Sequence, residues 1–366
     1  MINIAIVGAG PSGVFCALKI LEELKQNNFS NFNLDIFDKS QALRTLLPTG
    51  NGRCNLTNAT TDLRDFCSNY PRGEKFLYSI FSRFSNYDTV DYFNSIGLKT
   101  YVQDDLRVFP KSNSAADVKK VLLNKLNSYK NFKLIHKEIK SFLELENYDY
   151  IIISTGSKNV QALLDSIKQP YTPFKKALCG LVVENNIYPV GVSVKSLDGD
   201  FVFTKFGISG PLAFKISSLM VEKPFPYELE INLFNFEELI DLIDRNPKKS
   251  FGNLVSKFIP KSLVKSIIED YDKNACEISK KEIINSSKLK LKIINTDNNG
   301  EIVNFGGVKL NSVDKNCKSK NLENVWFCGE VLNIDGFCGG FNLQNCWSTG
   351  YIVGSNVANL ILGEKY

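Results

Sequence analysis

Histidine is nearly absent: His136 stands alone in a chain of 366 residues. Any Ser-His-Asp or Cys-His nucleophilic site, and any histidine-based metal centre, would have to use that one side chain. It lies in the alternating run Lys133-Leu134-Ile135-His136-Lys137, which reads as a strand, so a structural or solvent-facing place is expected for it. Cys-x-x-Cys pairs are absent as well, although the chain holds nine cysteines. That excludes the usual zinc-ribbon, ferredoxin and thioredoxin-type motifs, and no metal site is expected. An odd, unpatterned cysteine set suits a reducing compartment better than a disulfide scaffold. No uncharged apolar stretch reaches the roughly 18 residues of a membrane span. The apolar start over residues 2–24 has no preceding Lys or Arg and is broken by Gly10-Pro11, so it does not read as a targeting signal. The cytoplasm is the expected compartment. Dense Lys/Arg runs, internal repeats and low-complexity tracts are missing too; with a net charge of only +5, no nucleic-acid partner is expected.

What is present is an ordinary globular composition, 43% hydrophobic and 23% charged, in a chain long enough for two or three domains or subdomains. Residues 3–7 read as a buried strand, followed by Gly8-Ala9-Gly10-Pro11-Ser12-Gly13 and then apolar residues at helical spacing from Val14 to Leu24. Leu34-Asp35-Ile36-Phe37-Asp38 reads as the next strand. This is a βαβ unit with its glycines in register. A dinucleotide pyrophosphate needs a turn without Cβ atoms and the N–H groups at a helix start. An acid at the end of the second strand, here Asp38, can accept from ribose hydroxyls. A second signal is the run from Thr49 through Gly50, Asn51, Gly52, Arg53, Cys54, Asn55 and Leu56 to Thr57 and Asn58. It is poor core material and suits a loop whose amides wrap a polar ligand. A third is Cys328-Gly329-Glu330, then Asp335-Gly336-Phe337-Cys338-Gly339-Gly340-Phe341-Asn342, where a strand end and a glycine-rich loop open the last helix.

Elsewhere, 76–92 and 115–126 read as helices, 132–146 as strand-like, and 149–153 as a buried strand ending at Ser154-Thr155-Gly156. Short strands are expected over 178–203, helices punctuated by Pro247 and Pro260 over 236–271, and strands over 288–294 and 301–305. A last strand is expected over 324–328 and a last helix over 344–361. The chain opens and closes as a doubly wound α/β domain with a mixed segment inserted.

These motifs, together with Arg107-Val108-Phe109-Pro110 and Phe206-Gly207-Ile208-Ser209-Gly210-Pro211, resemble the BaiN/YhiN-type flavoproteins, also called aminoacetone-oxidase-like FAD-binding proteins. The resemblance runs in order from residue 1 to the C-terminus. It implies noncovalent FAD and an α/β, glutathione-reductase-like three-layer domain from 1–160 and 320–366. It also implies a β-barrel-like insertion over 161–319 with its helical part at about 235–288. Carried over, Gly8, Ala9, Gly10, Pro11, Ser12 and Gly13 hold the pyrophosphate and Asp38 holds the ribose, with Lys39 next to it among the cofactor-binding residues. Gly52, Arg53, Cys54 and Asn55 lie along the flavin. Ile139 neighbours the adenine, Thr155-Gly156 forms a loop beside the cofactor, and Gly329, Glu330, Gly339, Gly340, Phe341 and Asn342 flank the ribityl chain and flavin. The wider class usually has Glu where this chain has Asp38. A longer Gly/Tyr/Pro-rich segment is missing after Gly156, where Ser157-Lys158-Asn159 leads into a helix-like run.

The expected activity is hydride transfer between a small organic substrate and flavin, with NAD(P)H as a transient electron donor. No second Gly-x-Gly-x-x-Gly marks a separate nicotinamide domain. The alternatives are oxidation of a small amine such as an aminoketone, and a non-catalytic or RNA-associated FAD protein. No catalytic residue is assigned. Arg53 and Arg107 are candidates for an anionic or carbonyl substrate, Arg107 having Asp104 or Asp105 as a competing partner. Cys54, Cys338 and Cys346 are expected mainly as small hydrophobes.

Overall fold

A computed structural model describes residues 1–157, 160–297 and 303–363. Its described chain forms two compact units, one of residues 1–175 with 304–366 and one of 176–303.

The first unit is built on a five-stranded parallel sheet. Its strands run, in order, Val325–Phe327, Tyr150–Ile153, Ile2–Val7, Phe32–Asp38 and Phe132–His136. The continuous apolar runs in Ile2–Val7 and Tyr150–Ile153 suit strands covered on both faces. Register aligns their carboxyl ends. Val7 sits opposite both Phe37 and Ile153, and Ile153 opposite Phe327. The loops carrying Gly8, Asp38, Ser154 and Gly329 therefore leave one edge of one sheet, where open α/β sheets take their ligands.

The helix Pro11–Gln26 and the C-terminal helix Phe341–Leu362 pack closely against each other. Small residues set the approach. A Cβ at Gly350 would lie 2.6 Å from the Ser12 carbonyl oxygen, and one at Gly354 would lie 2.7 Å from that of Cys16. Beneath them Phe15 packs with Phe84, Tyr92 and Trp347, all within 5.6 Å between ring centroids. Trp347 also donates its indole N–H to the Leu56 carbonyl at 2.9 Å. A small antiparallel sheet orders Thr57–Asn58, Arg107–Pro110 and Thr100–Val102.

The second unit is a six-stranded antiparallel sheet in the order Ser193–Ser196, Gly199–Phe203, Gly207–Ser209, Leu181–Val183, Lys288–Thr296, Tyr227–Asn232. Its two edge strands meet at one end, where Leu197 donates its N–H to the Asn232 carbonyl at 2.9 Å. Helices Phe236–Arg245, Phe251–Val255, Lys261–Ile267 and Lys280–Ser286 pack on a core of Phe201, Ile231, Leu263 and Leu291.

Several elements differ from expectation. The helix expected over 76–92 is two, Glu74–Phe81 and Asn86–Ser95. Ser85 caps the second by exchanging hydrogen bonds with Asp88, a Ser-x-x-Asp signal present in the sequence. The strand expected over 132–146 ends at His136, and a 3-10 turn occupies Phe142–Leu145. Residues 161–175 and 304–319, expected in the insertion, cluster with the first unit: Tyr171–Ala177 pairs with Val303–Val308, and Gln169 bonds Ser312 and Ser319. The expectations at Lys158, Asn159, Glu301 and Ile302 lie outside the described residues. Among the described residues no helix is long and apolar enough to cross a membrane, and no group of acidic, Cys or His side chains could hold a metal ion.

Substituting Gly350→Ala drives a methyl group into the Ser12 carbonyl, so it should destabilise the protein by about 1–3 kcal/mol. Urea unfolding followed by tryptophan fluorescence measures this, and an unchanged midpoint contradicts the close packing of the two helices.

Candidate functional site

The first glycine loop is shaped by its own backbone. Gly8 has φ +110°, and a Cβ there would fall 2.5 Å from the Ser154 carbonyl oxygen; one at Gly13 would fall 2.0 Å from that of Gly8. Ser154 closes the turn by donating to the Val7 and Gly8 carbonyls at 3.1 and 2.8 Å. Pro11 occupies the first helical turn, and no side chain caps the helix start at Gly10. The N–H groups of that first turn have no carbonyl four residues back within the helix to donate to, which is the feature an anion uses at a helix start. Asp38 binds this loop directly. One carboxylate oxygen accepts from the Ala9 N–H at 2.8 Å, the other from the Ser40 N–H and hydroxyl at 2.7 and 2.8 Å. Lys39 points to the surface, paired with Glu138 at 3.0 Å.

The 49–54 loop is bound just as tightly. Gly50, Asn51, Gly52 and Cys54 all have positive φ, between 57° and 80°. Non-glycine residues rarely adopt such values, and they concentrate at functional sites. Cys54 is fully buried; its N–H donates to Thr49, and burial pushes its thiol up to about 12. It is therefore a neutral packing thiol. Arg53 donates Nε to the Gly50 carbonyl at 3.3 Å, and its guanidinium carbon lies 4.3 Å from the centre of the Phe109 ring. Arg107, by contrast, is engaged by Asp105, with Nε 2.7 Å from Oδ2.

The second and third motifs meet. With its amide oxygen toward Gly340, Asn55 accepts from the Gly340 N–H at 2.9 Å and donates to the Thr57 and Val108 carbonyls at 3.0 and 3.2 Å. Asn58 donates to the Gly339 carbonyl at 3.1 Å. A Cβ at Gly340 would sit 2.4 Å from the Thr57 oxygen, so glycine is needed for the contact. Asn342 ties off the preceding turn, exchanging hydrogen bonds of 2.8 and 2.7 Å with Gly336. The first and third motifs meet too. Ser12 donates to the Cys328 carbonyl at 3.3 Å, and a Cβ at Gly329 would collide with its hydroxyl. Gly156 faces the Glu330 carboxylate.

Other predicted residues have packing roles. Phe341 turns inward, 5.2 Å from Phe66 and 5.8 Å from Tyr70 between ring centres. Ile139 is buried beyond the strand Phe132–His136, and His136 is exposed. Cys346 is buried, and its thiol is pushed well up by desolvation. Cys338 is exposed. Sequence reasoning missed Ser154 and the buried ion pair of Arg72 with Asp335, which steadies the 335–340 turn. The only sequence trace of the pair is the Asp-Gly beside the glycine loop.

The residues suit a bound dinucleotide on observations independent of the motif. A Cβ at Gly10 would meet nothing closer than Thr45 Oγ1 at 3.9 Å, and one at Gly52 nothing closer than the Leu47 oxygen at 4.0 Å. Glycine thus stands where the chain itself leaves room. Thr57 Oγ1 and both amide atoms of Asn345 are buried without hydrogen-bond partners among the described residues. Such orphans are rare unless a ligand or water serves them.

The fold and site define the class: a Rossmann-type FAD-binding α/β oxidoreductase. Residues 2–356 match the family described as HI0933-like protein Rossmann domain, and the chain belongs to that family. It is 26% identical to the 3-dehydro-bile acid delta(4,6)-reductase of Clostridium scindens, over 98% of this chain and 99% of that one. It is 25% identical to the ribosomal RNA dihydrouridine synthase of Haemophilus influenzae, over 91% of this chain and 92% of that one. Among solved structures it resembles the 3-ketosteroid delta1-dehydrogenase of Sterolibacterium denitrificans, with a TM-score of 0.50 and 10% identity over 98% of this chain and all of that one. That likeness is one of fold.

Gly10 and Gly13 separate binding from folding. Gly10→Ala should leave the melting of the FAD-free protein within about 0.5 kcal/mol while weakening FAD binding about tenfold or more. Gly13→Ala should lower both. Flavin fluorescence quenching and thermal melts measure the pair, and equal behaviour of the two variants contradicts the assignment.

Proposed function

We propose that the chain is an FAD-dependent reductase of a carbon–carbon double bond conjugated to a carbonyl group, with a nicotinamide as electron donor. The observation that carries this reading is the shared chemistry of the two relatives. Dihydrouridine is uridine whose ring double bond, conjugated to a carbonyl, has been reduced; a delta(4,6)-reductase of a 3-dehydro bile acid likewise acts on double bonds conjugated to the 3-ketone. Both alignments run over at least 91% of this chain.

In this reading the N–H groups at Gly10, Ser12 and Gly13 hold the pyrophosphate noncovalently, and Asp38 orders the loop from beneath while meeting the ribose. Bound FAD supplies hydride transfer. Gly339 and Gly340, fixed by Asn58 and Asn55, present the start of the last helix, whose positive end favours negative charge nearby. Phe109 and Cys54 keep water from the floor of the 49–54 loop.

A small-molecule substrate is favoured over RNA. On the strand Lys288–Thr296 of the second unit, Lys288 and Lys290 share Glu230 and Lys292 pairs with Glu184, so this run of lysines presents a reduced net positive charge to a phosphate backbone.

The test is anaerobic. FAD-loaded protein should be bleached by NADH or NADPH, and cyclohexenone should then restore the oxidised flavin spectrum without oxygen. Unmodified ribosomal RNA provides the second arm. If dithionite-reduced protein is reoxidised by air alone and by neither compound, the reading fails.

A further inference from the structure

Arg53 is a half-buried cation whose charge nothing in the described protein answers. Its Nε is occupied by the Gly50 carbonyl and one face by Phe109, yet no carboxylate lies within ion-pair distance among the described residues. Its Nη atoms donate to nothing there. The neighbouring arginine shows the contrast: Arg107 is neutralised by Asp105 through Nε at 2.7 Å and Nη2 at 2.5 Å. A guanidinium cannot shed its proton, so an unanswered one that is partly desolvated is a standing site for an anion.

The loop is built to keep Arg53 in place. Gly50 and Gly52 supply left-handed turns that glycine takes freely, whereas the positive φ values of Asn51 and of Cys54, immediately after Arg53, cost energy and persist only when the surroundings impose them. Phe109, which the guanidinium covers, is fully buried and touches the loop again at Gly50, where a Cβ would lie 3.1 Å from its ring. Two residues after Arg53, Asn55 fastens the same loop to Gly340.

We propose that Arg53 recognises the carbonyl oxygen of the substrate through its free Nη groups and stabilises the enolate oxygen formed during reduction. This rests on the reductase reading above. The electrons balance as follows. Reduced FAD, when bound, would supply a hydride to the β-carbon; the substrate's double-bond pair would then move toward the carbonyl carbon and the carbonyl pair onto oxygen. The enolate then takes a proton from water at its α-carbon, the carbonyl re-forms, and the flavin is left oxidised for a nicotinamide to recharge. The guanidinium meets more negative charge in the transition state than in the bound substrate, which is where binding accelerates a reaction. The substrate class follows: a conjugated ketone or imide whose oxygen can carry negative charge, rather than an isolated alkene.

The experiment uses a stable mimic of the enolate. Para-nitrophenol is titrated into FAD-loaded protein near its own pKa, and its visible band reports how much is ionised when bound. The unaltered protein should bind the phenolate form and shift ionisation to lower pH. Arg53→Gln should weaken phenolate binding about tenfold or more, the size of a lost charge-assisted contact, and abolish the shift. Arg53→Lys should recover part of it, and Arg107→Gln should leave it in place. One bound flavin per chain in Arg53→Gln, as in the unaltered protein, establishes that the site is folded. Phenolate binding that is absent from the unaltered protein, or equal in Arg53→Gln, overturns the proposal. Phenolate binding that needs Arg53 in a protein that reduces no enone leaves the anion site standing and removes the reductase reading instead.

Discussion

The site depends on how closely two helices and a strand can approach through backbone alone. Gly13 lets the first helix rest on the Gly8 carbonyl, and Gly350 and Gly354 let the last helix rest on Ser12 and Cys16. A methyl group at any of these points would part the layers. Because they meet, the opening and closing segments of the chain share one sheet edge, and the glycine loops at residues 8–13 and 329–340 become neighbours. Ser12 joins them directly at the Cys328 carbonyl.

The second constraint is polar. The 49–58 segment carries no continuous apolar stripe that could seat it by burial alone. It is held instead by Asn55 and Asn58 on Gly340 and Gly339, and by Trp347 on the Leu56 carbonyl. Each is a hydrogen bond between groups nearly three hundred residues apart in the chain. Such bonds fix geometry more than they add stability, since a buried partner left unpaired costs about 1–3 kcal/mol. The result is a frame in which the 49–58 segment and the 336–342 loop are tied to each other backbone to side chain.

The parallel sheet and its glycine loop were legible because local pattern and global fold agree there: buried strand, Gly-x-Gly-x-x-Gly, helical spacing, acid-tipped strand. The positions of Arg53 and Asn55 on a ligand-type loop were legible from composition. What they touch was not, because Gly340 and Phe109 reach them only through tertiary structure. Phe341 shows the converse: it stands in a binding motif, yet its side chain joins Phe66 and Tyr70 in the core. Asp38 was readable as a ribose acid, but its bonds to Ala9 and Ser40 show that it first shapes the loop. The edges of the inserted segment were displaced because the pairing of Tyr171–Ala177 with Val303–Val308 links stretches with no local signature.

Everything proposed for this chain presupposes that its glycine frame encloses FAD. Calorimetric titration of cofactor-stripped protein with FAD, and separately with NAD+, tests that most directly. The account predicts one tightly bound FAD per chain, a flavin absorbance spectrum altered from that of the free cofactor, and no comparable heat from NAD+. Protein that takes up no FAD, or binds NAD+ as tightly in its place, would contradict it.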